Sequence, residues 1–157
     1  MKNNIKFPYK VNICYIFNKN KEVLLQHKSR GFGKGKWNGP GGKIEKGETP
    51  EEATIREVKE ETGLIVKKLK KMGEIEFIFT DNYNSNNYCH VFICDKYEGN
   101  PIDGGEGELK WFKKNEIPLD KMWDDDKYWL IDILNGKQVK KRFYFDKNGN
   151  VLKWDYC

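Results

Sequence analysis

GGKIEKGETPEEATIREVKEETGL, Gly41 to Leu64, is the stretch that decides how this 157-residue chain is read. Its second half predicts a helix over residues 50 to 62. Thr49 is placed to be the N-cap, Pro50 takes the first helical position, and Glu52 completes a Thr-x-x-Glu capping box. Gly63 follows as the C-terminal stop. At helical spacing Ile55, Val58 and Thr62 form the stripe expected to be buried. Glu57, Glu60 and Glu61 fall on a different face at the i, i+3, i+4 spacing of helical neighbours. Three carboxylates on one turn repel one another, and a hard divalent cation that takes oxygen ligands is the simplest compensation. On a helix considered alone, a solvated acidic face explains three glutamates better.

The flanking residues reverse that preference. From Gly42 the chain fits the pattern G-x5-E-x7-R-E-U-x-E-E-x-G-U, with U aliphatic, through Gly42, Glu48, Arg56, Glu57, Val58, Glu60, Glu61, Gly63 and Leu64. At ordinary residue frequencies a chance match at a given start is roughly 10⁻⁸. This pattern is the Nudix box, and the chain resembles a Nudix hydrolase. The resemblance implies an α+β fold, an α/β/α sandwich with a mixed β-sheet between helices, and cleavage of nucleoside diphosphates linked to another moiety. It also implies magnesium, with manganese as a substitute, held by Glu57, Glu60 and Glu61 and completed by the carbonyl of Gly41. Glu60 or Glu61 is then the residue that polarises water. Arg56 and Glu48 are expected to orient the carboxylates through forked hydrogen bonds. Glu106, in GGEGELKWF, is placed to add a carboxylate from a distant loop, although an ordinary loop acid reads the same way. Lys28 is expected to add a point charge on the phosphates. Neither GxxxxGK[ST] nor GxGxxG occurs among the glycines from Gly31 to Gly47.

Outward from this segment, the chain reads as one domain over residues 1–157, made of strands with two helices inserted. Lys10 to Phe17 and Val23 to His27 flank a polar turn and suggest a hairpin. Gly73 to Thr80 and Tyr88 to Tyr97 read as a strand pair, and Leu109 to Phe112 as a short strand. A second helix is expected from about Asp124 to Asn135, stopped by Gly136. The tail KKRFYFDKNGNVLKW reads as a hairpin turning at Asn148-Gly149. Cys89 and Cys94, five apart in one strand, are expected on opposite faces.

Composition bounds the partners. The 29 Lys+Arg against 24 Asp+Glu give a formal charge of +5, but only Arg30, Arg56 and Arg142 are arginines, which weakens any claim of bidentate nucleic-acid readout. Residues 50 to 61 hold five Glu against Arg56 and Lys59, a local charge of −3, which leaves +8 on the rest. That balance suits a small anionic substrate. No apolar run approaches the ~20 residues of a membrane helix, and MKNNIKFPYK lacks the apolar core of an export signal. The expectation is a cytoplasmic monomer acting on a small-molecule nucleotide, with no nucleic acid or membrane partner.

Two further segments, RGFGKGKWNGPGGK (Arg30 to Lys43) and MWDDDKYW (Met122 to Trp129), resemble the oxidised purine nucleoside triphosphatase branch, the 8-oxo-dGTP diphosphatases of vertebrate type. The similarity runs from about Val11 to Tyr156. It implies a purine pocket in which Asn38, Asp125 and Asp126 read the base and Trp123, Phe77 and Phe32 are its walls. Two adjacent carboxyls in a semi-apolar pocket cannot easily both ionise, so one is expected to stay protonated and donate while its neighbour accepts. Pro40 stands where the branch pattern has phenylalanine, Glu74 where it has glutamine, and Asn84 to Asn87 replace a more apolar edge. The departures leave open a pocket tuned to another purine nucleotide. The competing readings are a Nudix hydrolase of an ordinary triphosphate or a dinucleoside polyphosphate, a regulatory nucleotide-binding module, and an RNA-cap hydrolase. The intact glutamate set argues against the regulatory module, and the scarcity of Arg argues against the cap hydrolase.

Overall fold

Thr49 starts α1 (Pro50–Thr62) through a reciprocal capping box. Its hydroxyl accepts from the Glu52 N–H at 3.1 Å, and the Glu52 carboxylate accepts from the Thr49 N–H at 3.2 Å. Gly63 ends the helix in the left-handed region at φ 77°, with its N–H donating to the Lys59 carbonyl. The computed structural model describes residues 4–157. Around α1 lie β1 (Tyr9–Ile16), β2 (Val23–Lys28), β3 (Trp37–Asn38), β4 (Gly41–Lys43), β5 (Ile65–Phe79), β6 (Asn87–Glu98), β7 (Gly107–Phe112), α2 (Leu130–Leu134), β8 (Val139–Phe145) and β9 (Val151–Tyr156).

Six strands form one mixed sheet in the order β4-β1-β6-β5-β8-β9, in which β1 with β6 and β5 with β8 run parallel. The other three form an antiparallel sheet, β3-β2-β7. Alternation along the strands builds two cores, one on each face of the large sheet. Cys14, Ile16, Phe92 and Cys94 pack with Val58 of α1, while Ile13, Tyr15, Val91 and Phe143 pack with Trp129, Leu130 and Ile133. This is the helix–sheet–helix sandwich expected, and Cys89 and Cys94 do fall in opposite cores. Gly73 is obligatory where β5 meets β8: a Cβ there would lie 2.0 Å from the Val139 carbonyl oxygen.

Four local expectations change. Ile55 is 40% exposed, and the buried face of α1 is instead Ala53, Thr54, Val58, Glu61 and Thr62. The sheet therefore meets a face that includes one of the glutamates. The turn after β1 forms, with Asn18 Oδ1 accepting from the Asn20 and Glu22 N–H groups. Its strands separate beyond a single Phe17–Val23 bridge and enter different sheets, so no hairpin results. β5 begins at Ile65, because register shifts against β6 let the lysine-rich VKKLKKM run continue the strand through irregular pairing. The second helix shrinks to a 3-10 turn, Asp126–Tyr128, followed by the five residues of α2, because Trp129 breaks the helical path at φ −146°. The tail hairpin forms as expected, with Gly149 at φ 79° and Asp146 Oδ1 accepting from the Asn148 and Asn150 N–H groups. Among the described residues, no helix is long and apolar enough to cross a membrane.

Candidate active site

Arg56 organises the carboxylates of α1. Its Nε and one terminal nitrogen clasp the two oxygens of Glu48 at 2.7 and 2.8 Å, and the second nitrogen reaches Glu57 at 2.9 Å and Glu60 at 3.3 Å. It also donates to the Lys43 carbonyl at 3.1 Å, which fixes the helix against β4. The Arg56 guanidinium and the Glu45 backbone hold the Glu48 carboxyl down at about 2. This is the forked orienting role the sequence predicts.

The three glutamates do not share one environment. Glu57 lies directly over Gly42, where a Cβ would come within 2.7 Å of its carboxyl carbon. Glu61 is buried and accepts from the Gly41 N–H at 3.4 Å, while the Glu60 side chain is 59% exposed. Burial, and then Glu57 beside it, push the Glu61 carboxyl upward, and the positive charge of Lys28 opposes that shift. The donor set fits a hard divalent cation: the carboxylates of Glu57 and Glu61 crowd against the Gly41–Gly42 backbone, and one Arg56 nitrogen is the cation that already faces Glu57 and Glu60. Glu60 stays turned toward Arg56, and among the described residues no three such ligands are gathered into one ready cluster.

Glu106 arrives on a loop fastened to the end of α1. The Gly104 N–H donates to the Glu61 carbonyl at 3.1 Å, and a Cβ on Gly104 would meet the Glu60 carbonyl oxygen at 2.2 Å. The Glu106 carboxylate itself pairs with Arg30 at 3.0 Å.

A cavity of about 410 Å³ opens between the large and small sheets, separated from α1 by the Gly41–Gly42 backbone on which Glu57 and Glu61 rest. Lys28, Asn38, Gly41 and Gly42 line one part of it, and Phe32, Phe77, Trp123, Asp125 and Asp126 line another. The structure therefore brings together all seven residues expected to hold substrate. Phe32 stacks on Trp123 with ring centres 4.8 Å apart, and Lys36 sits 5.3 Å from the Trp123 ring. Phe77 is doubly employed: it lines the cavity and packs on Phe143 and Phe145.

Asp125 and Asp126 are both buried. Trp129 Nε1 donates to Asp125 Oδ2 at 2.7 Å, whereas Asp126 Oδ2 has no partner among the described residues. Burial raises both carboxyls, and the proximity of Asp125 raises Asp126 further. The pair is thus built to carry a proton, with Asp125, which accepts from Trp129, the anion and Asp126 the held acid. An unpartnered buried polar atom costs about 1–3 kcal/mol, so Asp126 Oδ2 implies a ligand or water in the cavity.

The NUDIX domain family matches residues 6–133. The chain belongs to the Nudix family. Among its relatives, the oxidized purine nucleoside triphosphate hydrolase of Danio rerio is 45% identical over 83% of each chain, and that of Mus musculus 39% identical over 84% of each. The crystal structure of a MutT protein from Bacillus halodurans superposes with a TM-score of 0.81 at 28% identity, covering 94% of this chain and 96% of that one.

For this Nudix chain, the box gave no sign of several cavity residues. Phe79 and Phe145 stack at 5.3 Å and line the cavity beside Phe77. The period-2 spacing of Phe77 and Phe79 on β5 is the signal that could have found the first. Trp129, four residues after Asp125, could have been paired with it by helical spacing. Gln26 had no sequence signal, since it reads as an ordinary strand position.

Proposed function

We propose that this protein is a magnesium-dependent hydrolase of oxidised purine nucleoside triphosphates such as 8-oxo-dGTP, releasing the monophosphate and pyrophosphate. The single observation that carries this reading is the continuity of one cavity. It runs from the Gly41–Gly42 backbone, against which Glu57 and Glu61 lie, to the buried Asp125–Asp126 pair. Phosphates at one end and an oxidised base at the other fit that layout, and two relatives bear the matching name.

In this reading Glu57, Glu60 and Glu61 hold the cation, with the Gly41 carbonyl and Glu106 completing the set. Held by these residues, magnesium or manganese would supply positive charge to the phosphate oxygens and a more acidic water. Arg56 keeps Glu57 and Glu60 aligned. Lys28 contributes a positive charge near Glu61. Phe32, Phe77 and Trp123 enclose the base, Asn38 donates to it, and the protonated Asp126 donates while Asp125 accepts. A base altered by oxidation exchanges donors for acceptors, and a carboxyl pair that shares one proton can follow that exchange. We read the chain as a cytoplasmic, monomeric enzyme of one domain, acting on neither nucleic acid nor membrane.

A second reading, another purine nucleotide, is favoured by the cavity edge. Ser85 and Asn87 line it with polar groups, whereas Glu74 is bonded to Lys71 and Tyr88 and does not line it. Pyrophosphate release measured with magnesium over oxidised and ordinary purine and pyrimidine triphosphates separates the two. Preference for 8-oxo-dGTP or 2-oxo-dATP over dGTP and dATP supports the first; equal rates move the assignment to the second. Glu61→Gln should lower turnover roughly 100- to 10,000-fold, the scale of several kcal/mol of metal-borne stabilisation, with the fold retained.

A further inference from the structure

Gln26 sits in the middle of β2, only 2% exposed, and its Nε2 has no hydrogen-bond partner among the described residues. The adjacent Leu24 and Leu25 are fully buried and apolar, so packing alone would be served by another aliphatic residue. A buried polar group calls for an acceptor, and Gln26 lines the nucleotide cavity. In the ladder it stands directly opposite Asn38 of β3, so the two side chains leave the same face of the small sheet. Asn38 Oδ1 accepts the Gly39 N–H at 3.0 Å, which fixes the orientation of the amide and gives Nδ2 as its donor. The two amide side chains are therefore neighbours on this wall.

We propose that Gln26 is a specificity-determining residue whose Nε2, beside Asn38 Nδ2, donates to the carbonyl oxygen at the purine 6-position, so that 6-oxo bases are preferred over 6-amino bases. The inference rests on the purine-nucleotide reading of this cavity. A carbonyl oxygen has two lone pairs and accepts both donors. The 6-amino group of adenine is itself a donor and would leave the amides unpaired. A site built to bond one group rejects the analogue that cannot return the bond.

The test compares the wild type with Gln26→Leu and Gln26→Met, reading kcat/KM for dGTP, 8-oxo-dGTP, dATP and 2-oxo-dATP. It also reads Kd for dGMP and dAMP by calorimetry, which needs no turnover. The guanine-to-adenine ratio should fall about tenfold in both variants, through weaker guanine binding. Gln26→Met keeps the side-chain length and serves if Gln26→Leu does not fold. An unchanged ratio in a folded variant, including equal losses on both bases, overturns the proposal. A wild type indifferent to oxidation would sink the oxidised-purine reading, while the guanine-to-adenine ratio would still decide the role of Gln26.

Discussion

The indole N–H of Trp129 is bonded to the carboxylate of Asp125 at 2.7 Å, wholly inside the protein, where the helical path between Asp126 and Leu130 is interrupted. The bond explains why a short 3-10 turn replaces the longer helix: the break at Trp129 accompanies an aspartate turned inward toward the cavity. Trp129 also meets Tyr15 edge-on at 6.1 Å, so one residue fixes both the core and the polar end of the site.

Trp129→Phe keeps the ring packing and removes the donor. Loss of a partner to a buried carboxyl should cost about 1–3 kcal/mol, seen as a lower urea midpoint with an unchanged slope. Asp125 should then titrate higher than in the wild type. An unchanged midpoint would show that this bond contributes nothing to stability.

Asp126 makes stability fall as pH rises. Its folded value is raised above the ordinary 3.8, so the native state binds more protons than the unfolded chain across the interval between them. The penalty is absent below the unfolded value and complete above the folded one. Asp126→Asn removes it, so the melting temperature of the variant relative to the wild type should increase as pH rises above the ordinary 3.8. A difference that stays flat, or shrinks with pH, contradicts a buried acid at this position.

Phe32 and Trp123 are too close to admit a base between them, and Phe32 is 67% exposed on a loop whose Gly31, Gly33 and Gly35 all have positive φ. Phe32→Ala should leave stability unchanged and raise KM about 2- to 10-fold, the scale of one aromatic contact. Gly33→Ala is different, because its φ is +86° and the new Cβ would lie 3.3 Å from Trp123 Nε1. It should cost about 1–2 kcal/mol for the left-handed backbone and raise KM as Trp123 shifts. Steady-state kinetics with thermal melts separates the two effects.

Gly42→Ala places a methyl 2.7 Å from the carboxyl carbon of Glu57. The carboxylate must move, and a displacement near 1 Å at a reacting centre costs on the order of 100-fold in rate. We expect kcat to fall on that scale while circular dichroism stays that of the wild type. Full activity would mean that the position of Glu57 is not critical.

Much of this was legible in residue order, and the rest was hidden for identifiable reasons. The capping box of Thr49 and Glu52 is a contact over three residues, so its geometry follows from local spacing. The same holds for Gly63 and for the grip of Arg56 on Glu57. Ile55 went the other way: helical spacing defines faces but not which face the sheet covers, and here the sheet chose the side bearing Glu61. The adjacent glutamates Glu60 and Glu61 illustrate the same limit, one exposed and one buried. The Arg30–Glu106 pair spans 76 residues and has no local signature.

Short-range chemistry thus determined the helix, its caps, the carboxylates it carries and the family to which the chain belongs, because each depends on residues within a few positions of one another. Tertiary structure alone decided that Gln26 stands beside Asn38, that Asp126 is buried without a partner among the described residues, and that both line the cavity that reaches Gly41 and Gly42. Strand pairing and burial set those relations. They depend on where distant segments meet, since the worth of a polar side chain depends on which groups and how much water remain around it.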